Sequence, residues 1–171
     1  MKDTLQELYN KYKDIEYGWY DGNNQLHLHV VDGFLAKFKM QTIEHIKETK
    51  NAICWEVVEL YRHELEEKGI NCETYFFCLN ETGYHCHSII VVPYDNKYYW
   101  IEGSFKDFKG VHEYDTLDEI FDVIKNNYHI IVRDPKKKVN KDHIRIYRYT
   151  KPKDGIGCFS FYMHCFSNRV K

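Results

Sequence analysis

Three residues in this chain combine type and spacing in a way that suits attack on an acyl carbon: Cys54, His87 and Glu102. Cys54 lies in "KNAICWEVVELYRHELEEKG" (50 to 69), flanked by Trp55 and Glu56, where a helix is expected to begin. Asn51 is a favoured N-cap residue, and the apolar residues behind it recur at helical spacing, which puts Cys54 at N3. Unpaired N–H groups and the positive end of the helix macrodipole favour a thiolate in that first turn. The same groups can receive an oxyanion formed on an attacked carbonyl. Most cysteines are small buried hydrophobes, so the position acquires chemical meaning only with a base nearby.

The stretch "HCHSIIVVPYDNKYYWIEGSF" (85 to 105) supplies one. Asp95-Asn96 reads as a two-residue hairpin turn with Tyr94 opposite Lys97, which carries Glu102 opposite Ile89. Side chains alternate with period two, so His87, Ile89 and Glu102 share a face. His87 and Glu102 become diagonal neighbours about 7–8 Å apart at Cα, within reach of long side chains. His85 points the same way but stands one repeat further from Glu102. In these positions His87 would take the Cys54 proton and later protonate a leaving amine. Glu102 would hold the imidazole in a useful tautomer and stabilise its cation. Trp55 is expected to pack in the core rather than wall the site.

From Thr49 to Phe105, about a third of the chain, these residues resemble the transglutaminase-like superfamily of papain-related thiol enzymes. The resemblance rests on Cys54-Trp55-Glu56 opening a helix, on "ELEEKGINCETYF" as a helix–Gly–Ile–strand passage, on His87 starting "HSIIVV", and on "KYYWIEGSF" with its tryptophan just before the acid. The separations, 33 positions from Cys54 to His87 and 15 from His87 to Glu102, fit that layout. The resemblance implies a Cys-His-Asp triad, a helix packed on an antiparallel sheet, and thioester chemistry that needs no cofactor. Peptides, protein side chains or small amides are the substrates it implies, with either water or an amine as acceptor. The family usually has Asp where this chain has Glu102, and Asp107 is a substitute within reach in sequence. A non-catalytic binding module on the same fold is the alternative that this departure allows.

The elements that must position these residues are legible in outline. "TLQELYNKYKDI" places Thr4 three residues before Glu7, a capping-box spacing at the start of an amphipathic helix. "DGNNQ" followed by "LHLHV" reads as a turn and a strand, and "MQTIEHIKETK" as a short helix. The Cys54 helix is expected from about Ala52 to Lys68, closed by Gly69 at C′. "CETYFFCL", "HCHSIIVVPY" and "KYYWIEGSF" are rich in β-branched and aromatic residues, as strands are. "TLDEIFDVIKNNY" repeats the capping-box spacing, and "HIIVR", "HIRIYRYT" and "CFSFYMHCF" read as further strands. The expectation is one domain, 1–171, of the α+β class, with helices packed on an antiparallel sheet in a transglutaminase-like or papain-like core.

Composition bounds the rest. With 171 residues the chain can bury a core without staples, and its net charge of −2 selects no partner. Residues 133 to 153 carry nine basic and two acidic side chains. Such a run could follow a phosphate backbone, but lysines on a solvated edge strand account for it without nucleic acid. No apolar leader or membrane-length run is evident, so the six cysteines are expected as free thiols in a reducing cytoplasm. Paired C-x-x-C elements are missing, although "HCH" at 85 to 87 and "HC" at 164 and 165 leave zinc as a further alternative. The sequence is silent on oligomeric state.

Overall fold

The β-rich middle of the chain forms, in the computed structural model, a five-stranded antiparallel sheet; residues 1–29, 33–79, 85–132 and 139–171 are described. The strands are β1 (Glu73–Leu79), β2 (His85–Tyr94), β3 (Lys97–Glu102), β4 (Gly110–Tyr114) and β5 (Ile144–Tyr149), in the order β4-β3-β2-β1-β5. Asp95 and Asn96 both have positive φ, 50° and 57°. Those angles mark a type I′ turn, whose twist matches the strands that it joins. The β2–β3 register runs from Tyr94–Lys97 to Ile90–Ile101, as the two-residue turn predicts.

Both faces of the sheet are buried, because alternate residues enter different apolar clusters. Phe76, Cys78, Ile90 and Val92 join one cluster, while Phe77, Leu79, Ile89 and Val91 join the other. The first is covered by α1 (Lys2–Tyr12), α3 (Cys54–Glu67) and α6 (Cys158–Cys165), through residues such as Leu5, Leu60 and Phe161. The second is covered by α4 (Leu117–Asn126) and α5 (Tyr128–Val132), through Ile120, Phe121, Ile124 and Tyr128. A short helix, α2 (Ile43–Thr49), leads into α3. Thr42 caps α2 by accepting from His45 N, and Thr116 caps α4 in a capping box with Glu119.

Four local expectations give way. "HIIVR" lies in α5 up to Val132, with residue 133 outside the described residues, and "CFSFYMHCF" forms α6. In α6 the buried residues Cys158, Phe161, Tyr162 and Cys165 follow the i, i+3, i+4, i+7 rhythm of a helix. Aromatic content had pointed to a strand, but tertiary burial follows the rhythm. "LHLHV" pairs as a strand only at Leu26–His27, and residue 30 lies outside the described residues. The first helix starts at Lys2 with Met1 as N-cap, so Thr4 is inside it rather than capping it. β4 was not evident from the sequence, because this outer strand is only partly buried along most of its length. Of the basic run, residues 133–138 also fall outside the described residues.

Helix α3 is locked to its surroundings at both ends and along its length. Gly69 has φ 68°, Gly69 N donates to Glu66 O, and Ile70 N donates to Leu65 O. That is a Schellman cap, and the left-handed residue it needs is the expected glycine. Arg62 forms a bidentate pair with Glu59 and donates to Thr74 Oγ1 (2.6 Å) on β1. Thr74 in turn donates to Tyr149 O (2.6 Å) on β5. Glu64 accepts from Tyr12 (2.6 Å) and pairs with Lys11 and Lys47, which ties α1 and α2 to α3. Past β3, the backbone at Gly103 presses on the helix. A Cβ there would stand 2.6 Å from Val57 Cγ1 and 3.0 Å from the Tyr61 ring and hydroxyl.

Gly103→Ala is therefore expected to destabilise the fold by about 1–3 kcal/mol through overpacking. Gly22→Ala, where an added Cβ meets nothing within 4 Å, serves as the control. Urea unfolding midpoints check the pair, and equal midpoints would refute the tight approach of the β3 end to α3.

Candidate active site

Helix α3 begins at Cys54 itself, two residues later than the sequence suggested, with Ile53 as N-cap. Asn51 does not cap, because its backbone pairs with Glu16 in a short parallel bridge and its side chain donates to Thr49 O (2.7 Å). Cys54 is thus at N1 rather than N3. Val57 N makes the first intrahelical bond, to Ile53 O (3.0 Å), so the N–H groups of Cys54, Trp55 and Glu56 have no acceptor within the helix. Cys54 is half-buried. Trp55 points inward and stacks on Phe161 at 4.4 Å between ring centroids, in the core as expected.

Glu56 fixes this helix start. It is fully buried and accepts from Gln41 N (2.9 Å), Gln41 Nε2 (3.1 Å) and Ile53 N (3.1 Å). Gln41 Nε2 also donates to Asn51 O (3.0 Å), so one side-chain network holds the segment that delivers Cys54. Burial raises Glu56 to about 7, despite the hydrogen bonds from Gln41 and Ile53 that oppose it. Sequence reasoning passed over this role, although a glutamate at N3 reaching back to the N-cap backbone is half of a capping box.

His87 and Glu102 meet directly, Nε2 to Oε2, at 2.8 Å. Both are buried, at 4% and 2% exposure. Glu102 Oε1 accepts from Ser104 N (2.8 Å), Ser104 Oγ (3.0 Å) and Phe105 N (2.8 Å). The carboxylate is therefore cradled by the turn that follows its own strand. Phe105 also lies against the imidazole, 5.3 Å between ring centroids. Ser104 and Phe105 were missed as site residues; the signal available was a "GSF" turn directly after a strand-end acid. Asp107 is exposed in the 3-10 turn Lys106–Phe108, and the carboxylate that bonds His87 is Glu102.

Cys54 lies near enough to the His87 ring to favour its charged form. Alternation groups His87 with Phe77 and Ile89, toward α4, whereas α3 lies on the opposite face. The His87–Glu102 pair stands at the end of the β2–β3 ladder, beyond the Ile90–Ile101 pair, where Gly103 brings the chain against α3. Glu102 occupies Nε2, so a proton exchanged with a thiol would pass through Nδ1. Burial opposes charge on His87, but the Glu102 charge, the hydrogen bond the ring donates to it and the nearby Cys54 outweigh it and raise the imidazole to about 10. Burial likewise works against ionised Glu102, yet the His87 charge and the bonds from His87, Phe105 and Ser104 lower its pKa. The arrangement can hold an imidazolium against a buried carboxylate at neutral pH.

The other candidates separate from this group. His85 is opposite Leu79 on β1, and its carbonyl accepts from Tyr128 (2.8 Å). Among the described residues, no cluster of three or more His, Cys, Asp or Glu is arranged to hold a metal ion. All six thiols are free, and no described helix is long and apolar enough to cross a membrane. No protein-family model, no curated protein and no solved structure matches the chain.

The His87–Glu102 pair should be visible in its titration. The His87 contribution to stability is fully present below about pH 6.5 and is lost as pH rises through about 10. The Glu102 contribution is present above about 4.5 and is lost as pH falls through its lowered folded value. In Glu102→Gln the burial penalty remains without the opposing charge, so the imidazole should titrate several pH units lower. NMR of the His87 ring carbons checks this, and an unmoved titration would trace the shift to another group.

Proposed function

We propose that this single domain is a thiol-dependent amide or acyl hydrolase, or an acyltransferase, of the transglutaminase-like type. What carries the reading is one observation: a buried imidazole, His87, bonded to the Glu102 carboxylate and near enough to Cys54 to be influenced by it. In this reading the Cys54 thiolate adds to the carbonyl of a peptide, a protein side chain or a small amide. Negative charge forms on the carbonyl oxygen at the start of α3, where the helix N–H groups favour it. His87 then donates its proton to the departing nitrogen as the C–N bond breaks, leaving a thioester on Cys54. Water, deprotonated by the now neutral His87, or a second amine attacks the thioester and restores the thiol. Glu102 holds the ring and its charge throughout. Glutamate serves where the family has aspartate because the longer side chain folds back into the Ser104–Phe105 cradle. Free thiols suit a reducing compartment, and the cytoplasm is the one we assign.

Alkylation by iodoacetamide near pH 6 tests the reading. An unassisted thiol is only about 0.3% thiolate at that pH. Cys54 is expected to label fastest of the six cysteines, with His87→Ala slowing it at least tenfold (order-of-magnitude). Cys54→Ser should also abolish turnover of an activated acyl ester. Labelling that simply follows exposure, unchanged in His87→Ala, would favour the non-catalytic binding module instead.

A further inference from the structure

One rung along the β1–β2 ladder from Phe77–His87, two more thiols face each other. Cys78 on β1 is directly opposite Cys86 on β2, and their sulfurs are 3.3 Å apart. Directly opposed residues of an antiparallel pair have Cα atoms about 4.5–5.5 Å apart. A disulfide spans about 4.4–6.8 Å between Cα atoms, so side-chain rotation alone can close the bond. Cys78 is buried and Cys86 partly buried, so a small oxidant would reach the pair from the Cys86 side.

We infer that Cys78 and Cys86 form a redox-modification site, a dithiol that peroxide converts to a cross-strand disulfide beside His87. The Cys86 S–H donates toward the Cys78 sulfur, and this hydrogen bond lowers the Cys78 pKa against the effect of burial. A thiolate of the pair attacks the O–O bond of hydrogen peroxide, forming an S–O bond and expelling hydroxide, which takes up a proton to become water. The second thiol attacks the sulfenic sulfur, the S–S bond forms, the S–O bond breaks, and a second water leaves. The dithiol loses two electrons and two protons, and peroxide is reduced to two waters. The bond staples β1 to β2 next to the imidazole and leaves the Cys54 sulfur outside the linkage. This inference does not depend on Cys54 being a nucleophile.

The full-length protein is treated with limiting hydrogen peroxide, blocked with N-ethylmaleimide, denatured, and cleaved after glutamate. Cleavage at Glu73 and Glu81 separates Cys72, Cys78 and Cys86 into different peptides. The expected result is loss of two blockable thiols, a mass about 2 Da lower, and a linked pair of peptides carrying Cys78 and Cys86. Dithiothreitol should reverse all three. Cys78→Ser and Cys86→Ser should each remove the linked pair, and the wild-type map stands alone if either variant fails to fold. A linkage joining Cys86 to Cys54 or to any other cysteine overturns the inference. So does consumption of the peroxide with both Cys78 and Cys86 still blockable.

Discussion

A carboxylate taken out of water keeps its charge only if donors replace the water it has lost. Glu102 meets that constraint with bonds from His87 Nε2, Ser104 N, Ser104 Oγ and Phe105 N. Three of these come from the turn after β3, so the same contacts that satisfy the acid also fix where the strand ends. The fourth fixes the imidazole ring. Gly103, between the acid and its cradle, lets that turn press on Val57 and Tyr61 of α3. Through one buried anion, the hairpin, the ring and the helix that begins with Cys54 are held in one geometry.

The two buried glutamates near Cys54 show how the partner decides the charge. Glu56 receives only amide donors, from Gln41 and Ile53, and burial raises it to about 7. Glu102 faces an imidazolium as well as amides, and its pKa is lowered. Hydrogen bonds from neutral groups offset part of a desolvation penalty, whereas an adjacent cation reverses its sign. Glu56 is therefore suited to organising the helix start, and Glu102 to stabilising a cation.

In the proposed reading, the pairing of Glu102 with His87 accommodates a glutamate where the resemblance leads to aspartate. A shorter acid at the end of β3 would bring its carboxylate closer to its own backbone. The extra methylene lets one oxygen turn back to Ser104 and Phe105 while the other reaches His87. In the proposed chemistry this keeps the orienting bond while the proton moves, because the cradle holds the acid independently of the ring.

Much of the site was legible because it depends on local rules. The Asp95-Asn96 turn sets the β2–β3 register, and the register brings Glu102 to His87. Gly69 ends α3 where a left-handed residue was expected, and Thr116 opens α4 through its capping box. Where local preference competed with burial, it lost: the aromatic-rich 158–166 segment is helical because one face of it fits the core. Asn51 lost its capping role to pairing with Glu16, a contact between residues far apart in the chain. The Ser104–Phe105 cradle, the Gln41–Glu56 network and the nearness of Cys54 to His87 belong to the tertiary structure alone. Turns and periodicity are written in neighbouring residues, whereas the environment of a buried charge depends on groups that only folding brings within a few ångströms of it.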